Sequence, residues 1–432
     1  MSKIFVIVST LKLNLHLMPN HQERKQLAMT TKNLPEHFAE FSEAKRNGFL
    51  RVKEIKDNGG YVAGIFCTFT PREILQAGGI HHVGLCGMSE DTIPYAERDL
   101  PKGLCPLIKS SYGYAVSEQC PFMYFSDIVV GETTCDGKKK MYELLSKIKE
   151  VYVLQLPQKA NDESALMMWS EELHRFRTYI ENRFQITITD EQLREASRIQ
   201  NELRKVKREI MELERLTPPP FAGYDLYQLM DGTGFLFDEL AVLAKLRTVL
   251  QEIKDRYAAG ERPVSAQAKR ILITGCPIMA VLDKTVKIIE ENGGVVVCYE
   301  NCGGIKTQRY LIDTEADDII TAIARYYLSI GCAVMSPDLQ RINLLRELVD
   351  EFKTMLDDRR VVSANLLREE DIRILSLDGR AIVVIQVPPA PRDQLPVYIG
   401  GDPVRGCYRR SGDGDYHCTP AERNAMLSER FH

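Results

Sequence analysis

Two spacings of apolar residues alternate along this chain. Short runs such as Tyr61-Val62-Ala63-Gly64-Ile65 and the buried-strand pattern from Ser126 to Gly131 are continuous, as strands covered on both faces are. Between them lie helical stretches. Residues 33–60 form one, bounded by Pro35 and Asn58-Gly59-Gly60; Pro71 opens another, and Lys138 to Ile148 a third. Proline suits a first helical turn because its missing N–H would have been unsatisfied anyway. A strand from Val151 to Leu156 ends at Pro157. Short apolar strands separated by helices predict a parallel α/β sheet.

Residues 163–257 follow helical spacing throughout. Thr189-Asp190-Glu191-Gln192 is a capping-box signature for a helix over 190–214, Pro218-Pro219-Pro220 stops it, and another helix spans about 234–257. The charge run from Arg204 to Arg215 reads as a solvated face. The α/β pattern then returns: strand Arg270 to Gly275, helix Val281 to Glu291, strand Val295 to Tyr299, and a helix near 315–329. Residues 354–432 differ in texture, with strands from Arg380 to Val387 and from Pro396 to Ile399.

At 432 residues the chain has room for two or three domains of about 150 residues each. Fifty-six basic against sixty acidic residues give no global basic excess of the kind that marks nucleic-acid binding. No run of about 18 apolar residues exists, so no membrane span is expected. The apolar stretch Ile4 to Val8 meets Lys12 too soon for a secretory signal. Residues 1–32 read as a disordered or spurious extension, with Met29 as an alternative start, and the cytoplasm as the compartment. There, eleven cysteines are thiols or metal ligands rather than disulfides.

Those cysteines fall at informative places. Cys67, Cys276 and Cys302 each follow a strand pattern, and Cys135 lies between a strand and a helix N-terminus. Ligands of open parallel sheets gather beyond the carboxyl ends of the strands, so these thiols can converge on one crevice. No C-x-x-C pair exists, which argues against structural zinc. Single cysteines on separate loops suit an iron–sulfur cluster, while buried core thiols are the plainer alternative. Gly131 to Lys139 departs from a P-loop: five residues separate the glycines, and Lys139 stands where a Ser or Thr would hold magnesium. His81-His82 reads as a surface or packing pair.

Longer blocks add a family resemblance. Cys67-Thr68-Phe69-Thr70-Pro71-Arg72-Glu73-Ile74, Leu104-Cys105-Pro106-Leu107-Ile108-Lys109-Ser110-Ser111-Tyr112-Gly113, Cys120-Pro121, Gly131 to Lys140, Tyr299-Glu300-Asn301-Cys302 and Ile330-Gly331-Cys332 resemble the 2-hydroxyacyl-CoA dehydratase/benzoyl-CoA reductase superfamily. The additional cysteines are similar to its double-cubane cluster protein branch. The resemblance covers about residues 33–353 and implies two Rossmann-like parallel-sheet lobes (33–160 and 266–353), with a helical insertion (161–265). It implies an iron–sulfur cluster in the cleft, either a 4Fe–4S cubane or an 8Fe–9S double cubane. It also implies a homodimer, a small-molecule or acyl-CoA substrate, and single electrons from a separate ATP-hydrolysing iron–sulfur activator protein. Cys105 and Cys135 match the dehydratase ligands. Cys120, Cys302, Cys332 and Cys67 are the added candidates; Cys276 and Cys86 also match the branch but are expected to pack.

The resemblance stops after Lys353, where the second lobe is expected to be truncated. Residues 360–428 are similar to the later half of a Schlafen AlbA-2 domain. The carriers include Val361 to Leu367, Asp378 to Pro388, Pro396 to Ile399, Cys407-Tyr408-Arg409-Arg410 and Gly412 to Thr419. This implies a small α+β tail joined to an incomplete lobe. Within it Cys407 and Cys418 are structural thiols, and Arg405, Arg409 and Arg410 are candidate phosphate contacts for nucleic acid. The resulting alternatives are a tail-borne nucleic-acid-binding function or an inactive fusion.

Overall fold

The computed structural model describes residues 5–7, 36–278 and 281–357, and in the tail 372–377, 380–385, 407–411 and 414–429 with a few isolated positions. The chain divides into two compact units: residues 9–340, and residues 341–432 together with 1–8.

In the larger unit, helix α1 (Glu36–Asp57) leads into strand β1 (Tyr61–Ile65), helix α2 (Arg72–Ala77) and strand β2 (Ile80–Gly84). Strand β3 (Ile128–Glu132), helix α3 (Asp136–Leu145) and strand β4 (Val151–Leu154) follow. The four strands form a parallel sheet in the order β2-β1-β3-β4. Its two central strands are almost wholly buried, which is why their residues read as unbroken apolar runs. Helix α3 packs hard on β3, since a Cβ at Gly131 would stand 2.4 Å from the Tyr142 ring. The chain leaves β1 toward β2 but returns to β3 on its other side. That reversal places a topological switch point at the carboxyl ends of β1 and β3.

The helical region contains α4 (Glu163–Phe184), α5 (Asp190–Leu213), α6 (Gly223–Gly232) and α7 (Glu239–Ala258). The Thr189–Gln192 capping box is present in both directions. Asp162 and Asp238 cap α4 and α7 by accepting from the N–H groups of Ala165 and Ala241 at 2.7 and 2.9 Å. Strands β5 (Lys269–Thr274) and β6 (Gly294–Glu300) then pair in parallel. A π-helical turn, Asp283–Lys287, begins the helix between them. Helix α8 (Ile319–Leu328) follows β6 in sequence, yet Ile319, Ile320 and Ile323 join the core formed by β1, β3, Trp169, Leu173 and Phe176.

One expectation is overturned in part here. The run from Arg204 to Arg215 is not wholly a solvated face: Glu209 and Arg215 are exposed, but Arg204 and Glu214 are buried. Arg204 pairs with Glu73 of α2, and Arg208 donates to the Arg309 carbonyl at 2.9 Å. Arg204 faces protein because α5 packs on α2 along this side.

The smaller unit contains an antiparallel pair, Ile372–Leu377 with Arg380–Ile385, a second pair, Tyr408–Ser411 with Gly414–His417, and helix Pro420–Glu429. Cys407 and Cys418 are buried, and the Cys418 N–H donates to the Cys407 carbonyl at 2.9 Å. Tyr398 makes an isolated bridge to Cys407, whereas Pro396 and Ile399 lie outside the described residues. So do Arg405, the side chains of Arg409 and Arg410, and residues 8–35.

Candidate functional site

Two residues beyond β1 the chain reaches Cys67, and two residues beyond β2 it reaches Cys86; both are half-buried. From the other sheet, Cys302 follows β6 at the same spacing, and Cys332 follows α8. Burial foremost pushes the Cys67 thiol up to about 12, against the pull of Lys138, with Glu132 and Cys302 adding to the rise. Burial also raises Cys86, and again Lys138 opposes while Cys302 and Glu132 add. The same holds for Cys332, where Lys306 opposes and Cys302 adds. Cys302 is therefore the common neighbour of three thiols carried by three different loops. The Cys86 sulfur donates to the Phe66 carbonyl at 3.3 Å, the same oxygen that accepts from Lys138 at 3.2 Å.

Lys138 is the cation of this group. Burial works against its charge, but Cys67, Tyr142, Glu132 and Cys86 together hold it well above its ordinary value. It lies in the first turn of α3, three residues after Cys135. Cys135 occupies the N-cap position of α3, and Cys105 that of the helix Pro106–Val116, neither with a side-chain cap hydrogen bond. Both are exposed. The two helix starts touch, since a Cβ at Gly137 would meet Ile108 at 2.8 Å and Leu104 at 2.9 Å. Both cysteines are soft sulfur donors carried on adjoining helix starts. Cys120 serves its own helix instead, because its sulfur accepts from the Met123 N–H at 3.4 Å and caps the short segment Pro121–Phe125.

Of the two cysteines expected to pack, Cys86 is half-buried and hydrogen-bonded to the Phe66 carbonyl, at the end of β2 as Cys67 is at the end of β1; the other expectation needs correcting. Cys276 is exposed, since the strand Lys269–Thr274 ends before it and Gly275 turns the chain outward at φ +134°.

Glu132 was not a candidate in the sequence. It ends β3 fully buried and accepts from the Thr70 hydroxyl; its Oε2 has no hydrogen-bond partner among the described residues. Burial pushes it up to about 7, opposed by Lys138, the Thr70 hydrogen bond and Arg72. A carboxyl that titrates near neutrality beside a lysine and a row of thiols is equipped to hold or release a proton.

The donor set fits iron and sulfide. Several soft sulfurs lie near one another in a half-buried setting, and Lys138 and Lys306 are too little positive charge to keep them as thiolates; a bound cluster's iron would supply that charge. Among the described residues, no three His, Cys, Asp or Glu side chains are arranged to hold a single metal ion. A cluster spreads its thiolates over separate corners and does not need that arrangement.

Comparison with known proteins gives the family. The family model for the 2-hydroxyglutaryl-CoA dehydratase D-component matches residues 67–355. An Escherichia coli (strain K12) protein assigned by name as a dehydratase subunit, YjiM, is 43% identical over 74% of this chain and 83% of its own length. The (R)-phenyllactyl-CoA dehydratase beta subunit of Clostridium sporogenes is 23% identical over 70% of this chain and 78% of its own. A benzoyl-CoA reductase subunit of Thauera aromatica is 25% identical over 53% and 58%. By these matches, the chain belongs to the 2-hydroxyglutaryl-CoA dehydratase D-component family.

Proposed function

We propose that this chain is an iron–sulfur subunit of the dehydratase and reductase type. It takes single electrons from an ATP-hydrolysing iron–sulfur activator protein and acts on a small molecule or acyl-CoA. The observation that carries the reading is that separate loops, after β1, β2, β6 and α8, bring Cys67, Cys86 and Cys332 into the neighbourhood of Cys302. When bound, the cluster supplies one-electron chemistry at low potential.

Cys67, Cys302 and Cys332 would hold it from the crevice floor, and Cys105 and Cys135 from the two helix starts. Cys120 joins them where a second cubane is assembled. Lys138 counters the negative charge of the thiolates, and Glu132 keeps a proton within the crevice. The names of the relatives, as subunits of a dehydratase and of a reductase, support a multi-component system. Among the described residues no helix is long and apolar enough to cross a membrane, which accords with a partner that meets the chain in solution.

The test is anaerobic reconstitution followed by visible absorption and electron paramagnetic resonance, with each cysteine changed to serine. Losses at Cys67, Cys302 and Cys332, with further loss at Cys105 and Cys135, are expected. A chain that takes up no iron, or takes it up equally in all five variants, refutes the reading.

A further inference from the structure

Beside the thiols, on the other flank of α2, lies a group of cations that the redox reading does not use. Helix α5 runs along α2 in a clear register. Gln200 donates to Gln76 at 2.8 Å, and one turn later Arg204 pairs with Glu73. The next residue on that face is Lys207, which brings its ammonium to the start of α2, where Arg72 stands. Lys207 makes one hydrogen bond, to the Thr233 hydroxyl at 2.8 Å. The Arg72 guanidinium is half-buried and, among the described residues, makes no hydrogen bond or ion pair of its own. His82 comes up from β2 beside them, and its buried Nδ1 also lacks a partner among the described residues. Arg72 and Lys207 both act on its charge.

We propose that Arg72, Lys207 and His82 form an oxyanion-binding site that takes the carboxylate or phosphate group of a small molecule. Five guanidinium donors and an ammonium left without an anion are costly in a half-buried setting, and an anionic oxygen group satisfies both. The nearby acids do not fill this role. Glu73 is committed to Arg204 and to the Tyr327 hydroxyl at 2.8 Å. Burial raises Glu239 and Glu132, which favours their neutral forms. The same positive excess shows in Lys207, pushed down to about 7 by burial first and then by Arg72 and Arg204. His82 is held well below its ordinary value, by burial first, so it meets an anion as a neutral imidazole.

This site stands or falls without iron. Titration calorimetry on the full chain in a low-chloride buffer at pH 7, with inorganic phosphate and with succinate, tests it directly. One saturable site for either anion is expected; phosphate alone points to a phosphate ester, succinate alone to a carboxylic acid. Arg72→Gln and Lys207→Gln should each weaken binding about tenfold or more, and Arg72→Lys should restore part of it. Lys254→Gln, at an exposed pair with Glu209, should bind as the native chain does. No saturable binding of either anion by the native chain, or unchanged binding by both Gln variants, overturns the proposal.

Discussion

Glu73→Gln tests the packing that fixes the start of α2, and with it the loop carrying Cys67. Glu73 is fully buried, and its two oxygens meet Arg204 and the Tyr327 hydroxyl. Arg204 is itself buried, donates to Asn201 at 3.1 Å and lies over the Tyr326 ring at 3.9 Å. Removing the carboxylate leaves a guanidinium with no counter-ion in the core, at a cost of about 3–5 kcal/mol. Arg204→Met leaves the carboxylate stranded and costs a similar amount. The double variant strands neither charge and is expected within about 2 kcal/mol of the native chain, because the desolvation of both ions also disappears. Urea unfolding of all four proteins then yields a coupling of about 3 kcal/mol or more. Single variants that each cost under about 1 kcal/mol, or a double variant that costs their sum, would show that the pair does not bear on stability as described.

Gly131→Ala drives a Cβ into the Tyr142 ring at 2.4 Å and should lower stability by about 1–3 kcal/mol; Tyr142→Leu in the same chain should recover part of the loss in a thermal melt. In metal-free protein, Lys138→Met removes the cation that opposes the rise of Cys67, so alkylation of Cys67 should slow at pH 8 when followed by peptide mass spectrometry. Glu132 has a folded value of about 7 against an ordinary 4.5, so the folded state binds the extra proton and stability falls as pH rises through that window. Glu132→Gln removes this loss, and its stability relative to the native chain should climb by about 2.5 kcal/mol between pH 5 and pH 8 in urea titrations. A flat difference across that range would place Glu132 in a more solvated setting.

The parallel sheet was legible because its central strands, buried on both faces, are unbroken apolar runs between glycines and prolines. Strand β2 was not, because His81 and His82 interrupt its pattern, and with it went the equivalence of Cys86 to Cys67. In the tail, Asp378-Gly379 between two alternating segments is a strong hairpin signal, yet only the second of those strands was read. The charge run on α5 misled for a different reason. Composition shows that Arg204, Lys207 and Glu214 are charged but not that α2 and Arg270 wait on that side. The thiols were found from their positions after strands. That Cys302 is their shared neighbour, and that Glu132 and Lys138 complete the group, depends on how separate loops meet, which no local pattern records.

The central claim is that these loops hold iron and sulfide. Iron and acid-labile sulfide determined on the chain purified without oxygen test it most directly. Brown protein is expected, with about four to eight irons per chain and a similar amount of sulfide, both falling sharply in Cys302→Ser. Colourless protein without either element, before and after reconstitution, would contradict it.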